Sequence, residues 1–315
     1  MAALTLSRCN TMTAATLTTL SVDLPDHGAA LLFTVRPSGA ALQADIEGLD
    51  LSQPLNAATV QALQAAWDTH LVLRFRGQQH LSVQDHIRFS SYFGPLDKRP
   101  QAAAQWHAST AELPLEVAVI SNLKQEGKPI GALGDGEAVW HADMTYQPVP
   151  PKAALLLGRE VPASGGDTHF ANMYAAYETL PADLQARIAD LQCVHDASRN
   201  SAGQLRLGFK DTTDPRETVG ALHPLVRLDP VTGRKSLYLG RRRNAYIQGL
   251  SLEDSEALLD TLWAHASQAH LTWSQQWQPG DLVCWNNHVT LHRRDAFDPN
   301  ARRYMHRTQV SSAAA

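Results

Sequence analysis

The chain of 315 residues is 44% hydrophobic and 18% charged, and its 27 Lys and Arg nearly offset its 31 Asp and Glu, leaving a net charge of −4. It is too apolar and too weakly charged for a disordered chain, has no run of the roughly 18 apolar residues that a membrane-spanning helix needs, and lacks the basic excess of a nucleic-acid-binding protein. Its cysteines are Cys9, Cys193 and Cys284, with no CxxC pair, which argues against a disulfide framework or thiolate zinc site and for a reducing cytoplasm; its 14 histidines direct a search for metal to imidazole and carboxylate ligands.

Residues 1–28 read as an N-terminal tail, since Arg8 and Asn10 interrupt any apolar export core, and residues 29–311 read as a single domain. Strands are expected at Leu31–Pro37 and Leu42–Ile46 around the turn Pro37-Ser38-Gly39. A helix from Asn56 to Trp67 follows, with Asn56 as N-cap and Val60, Leu63 and Trp67 on one face. Leu71–Phe75 is a strand ended by Gly77, and Ser82–Phe93 a helix closed by Gly94-Pro95. Leu123–Glu137 reads as a glycine-containing loop leading to Val139 and Trp140; its Gly131–Gly136 stretch has no P-loop lysine and opens no helix, so it carries no nucleotide-binding reading. Further helices are expected at Ala171–Leu180, Pro181–Leu191 with Pro181 in the first turn, and Leu252–Ser267. Further strands are expected at Ala153–Leu157, Cys193–Ala197, Ser236–Leu239, Leu282–Trp285 and Arg303–Val310. The pattern is mainly β with helical insertions, which fits one antiparallel sandwich or jelly roll.

The sharpest local feature is Trp140-His-Ala-Asp143. Two residues apart on a strand or at its end, His141 and Asp143 point to the same side and can share one ion. His292, after the apolar strand Leu282–Trp285, is the best candidate for a third ligand, although 14 histidines offer others. Two imidazoles and one carboxylate on one face leave positions open for co-substrate and O2, as in non-haem Fe(II) oxygenases. The bland alternative is that His141 hydrogen-bonds a neighbouring strand and Asp143 caps the following turn. In the stretch His292–Arg307, Arg303 and Arg307 share a strand face and suit an anion, whereas Arg293, Arg294 and Arg302 read as solvated surface. The run Arg241–Arg243 also reads as a solvated face. Phe170 and Trp285, beside the candidate ligands, are read as core before substrate wall.

Taken together, these motifs resemble the Fe(II)- and 2-oxoglutarate-dependent dioxygenases of the taurine dioxygenase and 2,4-dichlorophenoxyacetate dioxygenase group. The resemblance rests on Ala44-Asp-Ile-Glu-Gly-Leu-Asp-Leu51, Phe93-Gly94, Trp140-His-Ala-Asp143, Pro150-Pro151, Gly165-Gly-Asp-Thr168, Met173-Tyr-Ala-Ala-Tyr177 and the closing His292–Arg307 block, in family order. It implies a double-stranded β-helix, the cupin-like jelly roll, with His141, Asp143 and His292 as ligands of Fe(II). It further implies that Thr168 and Arg303 bind the distal carboxylate of 2-oxoglutarate, and that Arg307 lies beside the iron against the substrate's acidic group or the keto-acid end. Asn122 falls near the family's substrate-contacting asparagine, and Tyr146 flanks the ligands as a candidate pocket residue. His169, next to Thr168, is expected to point away into the sandwich.

Two departures stand out. Arg99, in Gly94-Pro-Leu-Asp-Lys-Arg-Pro100, occupies the place of a substrate-contacting histidine of the taurine enzyme, and the family's Trp-Asp-Asn-Arg appears as Trp285-Asn-Asn-His288. The resemblance implies hydroxylation of a C–H bond with succinate and CO2 as co-products and, on a carbon bearing a heteroatom, fragmentation of the product. The arginines make a small sulfonate or carboxylate the expected substrate. A dimer or tetramer is the family's common state, with no nucleic-acid or membrane partner. A metal-dependent hydrolase and a non-catalytic small-molecule-binding sandwich are the rivals.

Overall fold

The structure is a computed structural model that describes residues 33–99, 112–230 and 232–312. The expected tail 1–28, Cys9, and the first two residues of the Leu31–Pro37 strand lie outside the described residues. Leu31–Ala315 forms one compact unit.

Two sheets carry it. In chain order their strands are β1 (Thr34–Pro37), β2 (Ala44–Glu47), β3 (Val72–Phe75), β4 (Ala118–Ser121), β5 (Ala132–Leu133), β6 (Ala138–His141), β7 (Ala153–Glu160), β8 (Thr168–Asn172), β9 (Thr272–Gln275), β10 (Leu282–Asn286), β11 (Thr290–Arg294) and β12 (Tyr304–Val310). The larger sheet runs β1-β2-β3-β10-β7-β12-β4-β5 and the smaller β9-β8-β11-β6. Neighbours are antiparallel except β2 with β3 and β4 with β5. The fold is mainly β with helical insertions, a jelly roll as expected.

The period-2 rule explains how the two longest apolar strands face two cores. In β7, Leu155 and Leu157 point to one side, and in β10 Leu282 and Cys284 do the same; all four meet Trp67, Phe89 and Phe93 from the covering helices. The alternate residues, Leu156, Val283 and Trp285, enter the space between the sheets with Phe170 and Met305. Both faces are covered, so these strands read as apolar runs without alternation.

The covering helices are α1 (Ala57–His70) and α2 (Val83–Ser91). The Asn56 side chain accepts from the Thr59 N–H at 2.8 Å, and α1 buries Leu63 and Trp67, though Val60 is only half-buried. A capping box formed by Ser82 and Asp85 starts α2, whose Ser90 hydroxyl meets that of Thr308 on β12 at 2.7 Å.

Past the middle of the chain the boundaries shift. The helix expected from Ala171 starts at Met173 as α3 (Met173–Glu178), because β8 runs through Asn172, whose side chain then caps the Tyr174 and Ala175 N–H groups. Pro181 stands at the N-cap of α4 (Ala182–Ile188), outside the first turn. The helix α5 (Leu252–Ala266) matches its expected span to one residue. Within the expected loop 123–137, residues 124–125 and 128–129 pair, and β5 adds to the edge of the larger sheet.

Phe89 is 1% exposed and packs edge-on against Phe75, Tyr92 and Phe93. Truncation to alanine is expected to cost about 3–5 kcal/mol, read as a lowered urea-unfolding midpoint. Because this core lies on the helix side of the larger sheet, metal affinity should stay unchanged in the folded variant.

Candidate active site

The site forms where β6 ends. On the neighbouring strand β11, His292 is the direct cross-strand partner of His141, and their ring centroids are 4.1 Å apart. The chain then leaves β6, and Asp143 swings back toward both rings: its Oδ1 lies 3.6 Å from His141 Nε2 and 3.9 Å from His292 Nε2. All three residues are buried, and their ligand atoms lie within 4.8 Å of one another.

Local backbone chemistry holds Asp143 in place. The buried Asn287 amide accepts from the Asp143 N–H at 2.7 Å and donates to the Asp143 and Pro151 carbonyls, each at 2.9 Å. The next residue, Met144, takes a left-handed φ of 54°, and the Gln147 N–H closes the turn on its carbonyl at 3.0 Å. His141 Nδ1 lies 2.7 Å from the Val139 carbonyl, which makes Nδ1 the donor and leaves the Nε2 lone pair directed at the site. Burial and the neighbouring His141 push His292 down to about 3, so its imidazole is neutral and able to bind a metal. Burial works against ionisation of Asp143, but the Arg307 guanidinium overrides it and holds the carboxyl well below the usual range. Arg307 Nη1 and Gln309 Nε2 reach Asp143 Oδ2 at 3.1 and 3.3 Å.

Beside this cluster a cavity is lined by His141, His292, Thr168, Arg294, Arg303 and Arg307, with Ile120, Leu133, Ala138, Leu156 and Trp285 as apolar wall. Thr168 is placed by Gly165 and Gly166, both at positive φ; a Cβ on Gly166 would press on Phe297 at 3.3 Å and lie 3.6 Å from Arg303 Nε. The Thr168 hydroxyl accepts from Trp277 Nε1 at 2.9 Å, so its own proton is free for an anion in the cavity. Arg303 is 1% exposed, yet its Nε and Nη1 have no partner. Burial and the nearby Arg294 push it down to about 9, which still leaves it cationic at neutral pH. A buried cation with idle donors fits a site made for a carboxylate.

A second cavity of about 420 Å³ lies on the other side of Arg307 and Gln309, with Lys98, Arg99, Met144 and Gln147 among its lining residues. Arg307 therefore borders both cavities.

The remaining expected residues fall elsewhere. Asn122 lines neither cavity: its amide donates to the Pro299 and Ala301 carbonyls and accepts from the Arg303 N–H at 3.0 Å, so it holds the backbone that delivers Arg303. Tyr146 is also off both linings, with the Arg206 guanidinium 3.9 Å over its ring. His169 points away from the cavity, but outward and not into the sandwich as expected, because it alternates with the inward Thr168 and Phe170; it is tied to Asp295 at 2.7 Å and Ser274 at 2.6 Å. Trp285 joins the cavity wall, and Phe170 packs on the His292 ring from the core. His288, half-buried and pushed down to about 4 by that burial, bonds Ser312 and the Pro150 carbonyl, while Asn286 caps the turn by accepting from the His288 N–H.

Two surface readings are overturned. Arg294 is 5% exposed and lines the first cavity, because Thr168 is its partner across β8 and β11. Arg241 is also buried, bridged to the His141 backbone, with its side chain donating to the Arg199 carbonyl. Arg242 and Arg302 do pair with exposed acids, as a solvated face would. Nothing in the spacing singled out Asn287 or Gln309, since their work depends on tertiary contacts.

The family model described as taurine catabolism dioxygenase TauD, TfdA family matches residues 34–309. Pentalenolactone F synthase of Streptomyces arenae is 32% identical over 286 residues, covering 85% of this chain and 91% of that protein. The (S)-phenoxypropionate/alpha-ketoglutarate-dioxygenase of Sphingobium herbicidovorans is 34% identical over 295 residues, covering 89% and 95%. The crystal structure of AAD-2 in complex with Mn(II) and N-oxalylglycine superposes with a TM-score of 0.72 at 32% identity, covering 89% of this chain and 96% of that one.

Asn287→Ala removes all three bonds that fix Asp143 and Pro151 and is expected to weaken divalent-metal affinity about 10–100-fold. Titration with Co(II), followed by its absorption, checks this against the unaltered protein.

Proposed function

We propose that this chain, which belongs to the TauD, TfdA family and is a 2-oxoglutarate-dependent dioxygenase, hydroxylates a C–H bond of a small carboxylate or sulfonate. Its cofactors are Fe(II), 2-oxoglutarate and O2. Family membership sets aside the metal-dependent hydrolase and the non-catalytic sandwich. The observation that carries the substrate class is the shared position of Arg307, with the keto-acid cavity on one side and Arg99 and Lys98 on the other.

Two imidazoles and an ionised carboxylate are a donor set suited to Fe(II), and His141, Asp143 and His292 would hold it. When bound, the iron and 2-oxoglutarate supply the oxidising power: the keto acid is decarboxylated to succinate and CO2, and one oxygen atom of O2 enters the substrate. The protein's contribution is placement. Arg303 and Thr168 hold the distal carboxylate by charge-assisted and hydroxyl hydrogen bonds, and Trp285 and Leu156 exclude water. Arg307, fixed by its bond to Asp143, presents its remaining surface to the substrate's acidic group. Asn122 acts through Arg303 as a positioning residue. Tyr146, one step further out, stays in this reading as a shaper of the substrate approach.

The relative acting on phenoxypropionate supports an anionic substrate, since its named substrate is a carboxylate. No helix among the described residues is long and apolar enough to cross a membrane. The buried, unpaired Cys193 and Cys284 favour a reducing cytoplasm, and the family resemblance favours a dimer or tetramer.

Succinate release from 2-oxoglutarate under Fe(II) and O2, screened over small carboxylates, sulfonates and neutral analogues, tests this reading. Anions should stimulate release, and turnover confined to neutral or cationic compounds would refute it. Arg99→Leu should raise KM for the primary substrate about tenfold with little change in KM for 2-oxoglutarate, as expected for loss of one charged hydrogen bond.

A further inference from the structure

Arg294 was expected on the surface and stands in the cavity. It is 5% exposed, and an arginine keeps its guanidinium charge in proteins. One nitrogen, Nη2, donates to the Leu133 carbonyl at 3.2 Å and to the Gly136 carbonyl, which ties down the loop over the cavity. Its Nε and Nη1 are buried with no partner, as are the Nε and Nη1 of Arg303. Among the described residues no carboxylate pairs with either arginine; Asp135 influences Arg294 only from beyond ion-pair distance. Both guanidinium groups also lean on the Phe297 ring, at 5.3 and 5.9 Å from its centroid.

Two buried cations that repel each other, both lining one cavity and each with two idle donors, are poorly placed until an anion enters. A single arginine and a threonine suffice to orient a carboxylate; a second guanidinium adds attraction that only a co-substrate with an anionic far end can use. We infer that Arg294 is a second anchor for the distal carboxylate of the keto acid and sets selectivity for dicarboxylic over monocarboxylic 2-oxo acids. The inference rests on the reading of this cavity as the 2-oxoglutarate site. It also gives the loop around Leu133–Gly136 a link to occupancy, because one side chain touches both.

The test is calorimetric titration of the Mn(II)-loaded protein with 2-oxoglutarate and with 2-oxovalerate, the five-carbon monoacid. Arg294→Gln keeps an N–H donor for the Leu133 carbonyl and removes the charge; Arg294→Lys keeps the charge. The expected result is roughly thirtyfold weaker 2-oxoglutarate binding in Arg294→Gln, little change for 2-oxovalerate, and substantial recovery in Arg294→Lys. In turnover the same variants should raise KM for 2-oxoglutarate with kcat within about twofold. Arg303→Met separates the two layers of the reading. If it leaves 2-oxoglutarate affinity intact, the cavity is misassigned. If it abolishes binding while Arg294→Gln binds both acids as the unaltered protein does, Arg294 is only a structural tie and the inference falls. Equal weakening for both acids would likewise overturn it, since that is what a disturbed loop alone produces.

Discussion

The structure depends on one cross-strand pair. His141 and His292 come from opposite halves of the chain and are brought together because β6 and β11 are neighbours in the smaller sheet with these residues in register. A slip of one residue would turn one imidazole to the other face and destroy the site. The register is secured from outside the pair. On β11 the next neighbour, β8, aligns Phe170 with His292 and Thr168 with Arg294, so the same ladder sets the metal cluster and the anion cavity. The apolar packing of Phe170, Trp285 and Met305 between the sheets is the term large enough to hold that ladder.

Against that gain stands a concentration of buried charge. Asp143, Arg294, Arg303 and Arg307 are all drawn into the space beside the cluster, and only Asp143 and Arg307 neutralise each other directly. Leaving guanidinium donors idle costs stability, and proteins accept such a cost at sites whose ligand repays it. The electrostatics are self-consistent. With Asp143 and Arg307 cancelling, a dication at the ligand atoms adds two positive charges and Arg303 and Arg294 two more. A 2-oxoglutarate dianion would offset two of those four charges and an anionic substrate, on the proposed reading, a third.

Much of this was legible in the sequence, and the reason is covalent proximity or strong local chemistry. His141 and Asp143 sit two residues apart, the Gly165-Gly166 turn announces Thr168, and Arg303 and Arg307 share one strand face. The helices α1, α2 and α5 were readable from caps and periodicity. The strands that carry the site were harder. β4, β6, β8 and β11 are each four or five residues long, and β6, β8 and β11 include polar site residues, so neither alternation nor an apolar run marks them. Asn122 shows the limit in another way. Its place in the chain suggested a substrate contact, but both ends of its amide are consumed by the segment before Arg303. Arg241 and Arg294 were misread because an arginine-rich stretch looks solvated until the fold shows which face is inside.

Arg307 is where these strands of argument meet. Its Nη1 is bound to a ligand carboxylate, its neighbour Gln309 reaches the same oxygen, and it forms part of the wall of both cavities. A cation so fixed cannot follow one anion without moving with respect to the other. On the proposed reading, filling the first cavity with the keto acid would draw on the same positive charge that the substrate's acidic group requires, while the bond to Asp143 restrains the guanidinium from swinging to either side. Arg303 and Arg294 would then relieve that competition by taking the distal carboxylate in the first cavity. That reading assigns separate cations to the two anions and would leave Arg307, on the wall of both cavities, to fix the distance between them and so the reach of a C–H bond to the metal.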